Sequence, residues 1–371
     1  MQMMLTPTHE ASEPAAPEAA GSPARRHSRR VRAFVLAAVL LVALAVTVLM
    51  STTIGQFDTS PRQVLTSIGR VLFGGADPTD HQVDAVLWTI RFPRAVLAVL
   101  VGASLAVSGA VMQGVFANPL AEPSIIGVSS GASVGAALVI VLGIATVMPW
   151  TLPIAAFVTA LVVTAVVWGL AHIGGRAGVL TLILTGIAVN AICVAATSFL
   201  IFIGNTASRE TIIFWQMGTL SDASWSGVGT TALVCAAGTA GCMLIRRKLD
   251  VLALGDASAA TTGVHVETLR VTAIVLACLL TGVAVAFGGI IAFVGLIVPH
   301  AIRLVVGPSH RYLVPLSVLG GAVLLSLADI AARTVIDFAD LPIGIFTAVA
   351  GGPIFLLLLR RTLRGQGMGA T

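Results

Sequence analysis

Residues 95–115 read AVLAVLVGASLAVSGAVMQGV, a run with no ionisable side chain. About 20 apolar residues in a helix cross the hydrocarbon core of a bilayer, so this stretch alone points to lipid as the solvent. Outward from it, nine further apolar runs recur at 33–53, 124–143, 151–171, 179–203, 227–245, 269–287, 290–306, 312–331 and 343–360. The run 290–306 is the most interrupted, by Pro299, His300 and Arg303 behind a blurred Gly288-Gly289 start. The expected fold class is an all-α polytopic membrane protein of about ten transmembrane helices, in one integral domain over residues 33–360.

Composition agrees. Hydrophobic residues make up 57% and charged residues 10% of the chain, against about a quarter charged in soluble domains. The net charge is +5, but the basic residues are scattered and form no stripe, so no nucleic-acid partner is expected. Cys193, Cys235, Cys242 and Cys278 lie inside apolar runs without metal or redox spacing and read as small buried hydrophobes. Residues 1–32 are rich in Ala, Pro, Glu and Ser and end in five arginines; they read as a disordered basic cytoplasmic tail, and residues 361–371 as a second cytoplasmic tail. The run from Ala33 to Met50 is followed by Ser51-Thr52-Thr53, which offers no small-x-small cleavage pattern, and reads as a retained first span.

Positive residues favour the cytoplasmic side of short loops. With ten spans and both termini in the cytoplasm, 15 of the 21 Lys and Arg fall inside, Arg176, Arg270 and Arg303 among them. Arg62, Arg70, Arg91, Arg94, Arg209 and Arg333 fall outside. The expected location is a bacterial inner membrane. Outside, Asp58 to Phe73 carries Pro61 behind a possible cap at Asp58, Thr59 or Ser60, with Val64, Leu65, Ile68 and Leu72 on one face, an amphipathic surface helix. Phe214 to Trp225 holds two tryptophans suited to the membrane interface.

Lys248 is the sole lysine and sits between Arg247 and Leu249, so the chain holds no Gly-Lys-Ser/Thr phosphate loop. Any ATP-driven role requires a separate chain. Gly127-Val128-Ser129-Ser130-Gly131 matches a nucleophile elbow by letter, but that elbow needs a strand-to-helix turn; Gly127, Gly131 and Gly135 instead suit close helix packing. Arg91-Phe92-Pro93-Arg94 fits two readings, an interfacial anchor or an outward cation pair for acidic groups of a partner. Arg333 admits the same partner role, or pairing with Asp329 or Asp337. Asn118-Pro119-Leu120-Ala121-Glu122-Pro123 either ends two helices or forms a stiff constriction. The segment 249–267 is long for this chain; Asp256 there suits the cap of a short helix whose Ala257 to Ala260 would dock closely on another protein, although a plain loop fits as well.

Seven blocks together resemble the iron-siderophore and cobalamin permease family of ABC importers. They are RFPRAVLAVLVGASLAVSGAVMQGVFANPLAEPSIIGVSSGASVGA at 91–136, LTGIAVNAI at 184–192, FWQMGTLSDASW at 214–225, LALGDASA from 252 with Gly263-Val264 after it, GGIIAFVGLIVPHAIRLVVGPSHRYLVPLS at 288–317, LADIAART at 327–334 and LPIGIFTAVAGGPIFLLLL at 341–359. The resemblance implies the type II importer architecture, with a second permease subunit in a homo- or heterodimer, two ATPase subunits holding ATP and magnesium, and an extracytoplasmic substrate-binding protein. It implies no cofactor, metal or catalytic residue on this chain itself. Arg91, Arg94 and Arg333 match arginines that meet the binding protein; Asn118, Pro119 and Leu120 match a cytoplasmic gate; Leu254, Gly255, Asp256, Ala257 and Gly263 match the segment that seats on the ATPase. The fifth span would line the pore, with Thr185, Asn190, Thr197 and Ser198 as its polar groups, and the fifth and tenth spans would meet the other subunit. Where family members carry hydroxyl residues as a second gate, this chain has Val179 and Leu180, which would seal by dewetting. The cargo implied is an iron-siderophore, haem or cobalamin-like chelate. An ion-coupled carrier is the alternative, with Asp329 and His300 as its nearest ionisable candidates, and an intramembrane serine enzyme a third reading on Ser129.

Overall fold

A computed structural model describes residues 23–55, 57, 59–146, 148–173, 178–336 and 339–365. The tail 1–22, Asp58, Arg176, Asp337 and the residues past 365 lie outside the described residues, as do the side chains of Arg25, Arg26, Arg361 and Arg364. Among the described residues all regular structure is helical. In chain order it comprises α1 (Pro23–Thr53), α2 (Pro61–Leu72), α3 (Gln82–Val86), α4 (Phe92–Val115), α5 (Val128–Val141), α6 (Thr151–Ala171), α7 (Val179–Ile203) and α8 (Thr206–Gln216). There follow α9 (Trp225–Leu252), α10 (Asp256–Thr261), α11 (Val266–Gly288), α12 (Val294–Val306), α13 (His310–Thr334) and α14 (Ile343–Gly365). Among the described residues seven helices are long and apolar enough to cross a membrane, and Val128–Val141, Val294–Val306 and Ile343–Leu357 add three shorter apolar stretches. These ten correspond to the ten expected spans.

Two spans differ from expectation for a backbone reason. The third, expected over 124–143, is a 3-10 turn (Pro123–Ile126) followed by the 14-residue α5, because Gly127 at φ +87° breaks the helix between them. The eighth, expected from 290, begins only at Val294. Gly289 (φ +68°) cannot be another residue without moving the chain, since a Cβ there would stand 2.4 Å from the Trp215 carbonyl oxygen. Phe293 takes φ +68° without being glycine, a conformation that stores strain. Outside the bundle, α2 begins with Ser60 as N-cap and a full capping box with Gln63; Leu65, Leu72 and Phe73 are exposed, as a helix lying on the membrane surface requires.

Helix α4 is the hub. Almost all of it is buried, between α13, α11, α9 and α12. It achieves this with glycines: a Cβ on Gly102 would come 2.2 Å from the Gly321 carbonyl oxygen of α13, and one on Gly109 within 1.8 Å of that of Gly295 in α12. Peripheral α6, α7 and α9 bury one stripe each and turn large apolar side chains such as Val162, Phe202 and Leu244 outward, the pattern of a surface facing lipid or another subunit. The four cysteines are buried and unpaired.

Candidate functional site

A recess of about 320 Å³ opens between α5 and α7. On α7, Asn190, Val194, Thr197, Ser198 and Ile201 share one helical face and line it. Thr185, expected with them, does not: five residues before Asn190 it lies about 140° around the helix. The opposite wall is Ser129, Ser130 and Ser133 of α5 with Ser124 of the preceding turn, and Gln216 and Ile290 also border it. The Ser130 hydroxyl donates to Asn190 Oδ1, and Asn190 Nδ2 donates to the Ser124 carbonyl at 3.1 Å. Thr197 satisfies its hydroxyl on the Cys193 carbonyl at 2.9 Å. Among the described residues no charged side chain lines the recess. Its wall therefore offers hydrogen bonds from hydroxyl and amide groups without a fixed charge to trap a solute.

The serines of α5 are the lining that sequence reasoning missed; their three-to-four-residue spacing opposite the glycine stripe was the available signal. The glycines themselves pack as expected, with Cβ positions on Gly131 and Gly135 falling 2.8 Å from the Thr159 and 2.5 Å from the Ala155 carbonyl oxygens of α6. Ser129 sits on a helix with no strand before it, so the elbow geometry is absent.

At one end of the bundle the three expected docking arginines converge on a second recess, of about 250 Å³, shared with Asp340. Their side chains are directed inward rather than outward. Arg91 is buried, with Nη1 donating to the Thr52 carbonyl at 2.7 Å and contacts to the Thr59 hydroxyl and Phe57 carbonyl. Arg94 donates through Nε to Asp329 Oδ1 at 2.9 Å and through Nη1 to Asp340 Oδ2 at 2.6 Å. Arg333 lies 3.2 Å from Asp329 Oδ2 and donates to Ser51 Oγ at 3.0 Å, so the expected pairing with Asp329 forms. Burial pushes the Asp340 carboxyl up, but the hydrogen bond and charge of Arg94 outweigh it and hold it below the usual range. Near this end Trp225 is exposed and donates to the Trp88 carbonyl at 2.7 Å, whereas Trp215, expected at the lipid interface, is buried in the bundle against the α11–α12 joint.

At the opposite end, Asn118, Pro119 and Leu120 form a tight turn after Ala117, which is left-handed at φ +47°. Leu120 N–H donates to Asn118 Oδ1 at 2.9 Å and Asn118 N–H to the Gln113 carbonyl at 3.2 Å. Glu122, half-buried, follows; burial pushes its carboxyl up, against the hydrogen bond it accepts from the strained Phe293 amide. The turn after Ala117 and the α11–α12 joint therefore touch. Val179 packs on the core and Leu180 is exposed, both on the first turn of α7.

The segment 249–267 contains a short helix as expected, α10, but α9 continues to Leu252 and the cap differs. Gly255 (φ +108°) is the N-cap, while Asp256 occupies the first helical position and pairs with Arg270 at 2.8 Å. Leu254, Asp256, Ala257 and Gly263 are exposed, and Asp256, Ala257 and Gly263 border a recess of about 630 Å³ that also reaches Gly178 at the start of α7. A further cluster, unforeseen, braces this end: Asp250 of α9 accepts from His310 N–H at 2.7 Å and Ser309 Oγ at 3.0 Å, and contacts His310 Nδ1 at 2.6 Å. The partners lie about 60 residues apart in the chain, so no local pattern announces them.

Comparison with known proteins agrees with this architecture. The model of the FecCD transport family matches residues 38–361. The hemin transport system permease protein HmuU of Yersinia pestis is 37% identical over 342 residues, covering 90% of this chain and 97% of its own. The cobalamin import system permease protein BtuC of Halobacterium salinarum is 45% identical over 275 residues, 74% of this chain and 73% of its own. A structure described as the inward-facing conformation of a metal-chelate type ABC transporter superposes with a TM-score of 0.77 at 32% identity, covering 88% of this chain and 99% of that one.

Proposed function

The chain belongs to the FecCD transport family and is an ABC transporter permease, and we propose that it carries a metal chelate of the class of ferric siderophores, haem and cobalamin from a substrate-binding protein to the cytoplasm. The uncharged recess between α5 and α7 carries this reading: a wall of Ser, Thr and Asn side chains binds a bulky chelate weakly and releases it. Two copies of the permease, or this chain and a related one, meet through the exposed apolar faces of α7 and α14, and the recesses join into one passage. The recess of Arg91, Arg94 and Arg333 receives acidic side chains of the binding protein, with Asp340 as the group they displace.

Energy comes from outside the chain, which lacks a phosphate loop. Two ATPase subunits, holding ATP and magnesium, seat on α10. Its exposed small side chains allow close docking, and the recess beside it reaches the start of α7, where Val179 and Leu180 form the apolar constriction. Movement there and at Asn118 to Leu120 opens the cytoplasmic side. The ion-coupled alternative finds no support at Asp329, which two guanidinium groups already neutralise.

Reconstitution of the chain with its ATPase in vesicles tests the proposal. Chelate uptake should require ATP hydrolysis and fall at least tenfold in Asp256→Arg, which breaks the pair with Arg270 and places a cation on the docking face. Steady chelate flux driven by an ion gradient through the isolated permease would overturn it.

A further inference from the structure

Helices α1 and α13 run side by side and leave a groove of about 570 Å³ between them. One end is polar, with His27 and Arg30 of α1 and Tyr312 of α13 at its mouth. The rest is apolar, walled by Phe34, Ala37 and Leu316 among others. Among the described residues no acidic side chain lines it. Arg311 adds positive charge beside the mouth, 5.7 Å from the centre of the Tyr312 ring, while Arg29 and Arg32 turn to the other face of α1, toward Gly307 and the Val305 carbonyl. From Arg30 to Ala37 the groove extends about 10 Å along α1, which places it within one leaflet of a hydrocarbon core about 30 Å thick.

We propose that this groove is a binding site for one anionic phospholipid, its phosphate at Arg30 and His27 and an acyl chain along Phe34, Ala37 and Leu316. Any lipid tail satisfies the apolar wall. The mouth discriminates, because a zwitterionic headgroup brings its own cation against Arg30 and the neighbouring Arg311, whereas a net-negative one does not. Guanidinium groups also match phosphate oxygens by geometry as well as charge. The site rests on membrane embedding alone and is independent of the cargo and the energy source.

Native mass spectrometry of the purified full chain, exchanged into equal amounts of phosphatidylglycerol and phosphatidylcholine with matched chains, reads the preference directly. The wild type should retain phosphatidylglycerol selectively, and inorganic phosphate should not displace it. Arg30→Gln should lower that retention about fivefold, the value of one arginine near an anionic surface. Ala37→Phe, which fills the apolar end and leaves every charge in place, should lower it as well, and decides the matter if the arginine variant does not fold. Arg246→Gln with Arg247→Gln, on α9 outside the groove, should leave it unchanged. Equal retention of both lipids, displacement by phosphate alone, or an equal loss in the α9 variant would overturn the site.

Discussion

Replacing Asp329 by Asn removes one negative charge from the most enclosed ion cluster among the described residues without changing side-chain size. Asp329 has a side-chain exposure of 0%, and its two partners, Arg94 and Arg333, are exposed by only 8% and 9%. Breaking a buried ion pair by removing one member costs about 3–5 kcal/mol, because the remaining charge stays desolvated. Here both cations keep other partners, Arg94 the Asp340 carboxylate at 2.6 Å and Arg333 the Ser51 hydroxyl at 3.0 Å. The loss should therefore sit at the low end, about 3 kcal/mol. Asp340→Asn makes the internal control: its side chain is 35% exposed, water takes over much of its role, and the cost should be about 1 kcal/mol. Denaturant unfolding in detergent, followed by the fluorescence of the five tryptophans, measures both. A cycle adding Arg333→Gln should show non-additivity, since the second change relieves part of the first. If Asp329→Asn costs no more than Asp340→Asn, or the double variant is strictly additive, the cluster is not the coupled unit described.

Three further outcomes follow from the same geometry. Glu122 has a raised carboxyl pKa, so its stabilising contribution is complete below the unfolded-state value of about 4.3 and is lost as pH rises from there through the folded-state value; Glu122→Gln should flatten that slope in unfolding midpoints measured across mildly acidic pH, and an unchanged slope would count against it. Gly186→Val should disrupt the seat of α7, because a Cβ there falls 2.0 Å from the Ile125 carbonyl oxygen; a variant with wild-type thermal stability and uptake would contradict this close approach. Asp250→Ala strands the Ser309 and His310 donors at the start of α13 and should cost about 2 kcal/mol in the same denaturant assay, while Asp250→Asn, which keeps an acceptor, should cost less.

Spans were legible because lipid tolerates few alternatives to long apolar helices, and the first turn of α2 was legible because capping is a local contract between Ser60 and Gln63. The expectation that the fifth span lines the pore came from the resemblance; helical spacing puts Asn190, Thr197 and Ser198 on one face of α7 and Thr185 about 140° away from it. Ion pairing was a different matter. Arg94 finds Asp329 and Asp340 across 235 and 246 positions of sequence, and Asp256 turned to Arg270 rather than capping α10. Such choices depend on which helix ends meet, which hydropathy does not encode. The shortening of α5 and α12 was hidden for a related reason: Gly127 resembles the packing glycines around it, and Phe293 carries no letter that marks a left-handed residue.

Those two short helices alter the barrier a solute meets. At 1.5 Å per residue, α5 and α12 are about 20 Å long, some 10 Å less than the oil they stand in. The difference is made up by irregular backbone, whose amides and carbonyls need water or protein at that depth. Where protein supplies the partner, as Thr219 N–H does for the Gly288 carbonyl at 2.9 Å, the chain stays dry; wherever it does not, moisture enters below the bilayer surface and thins the septum a solute has to cross.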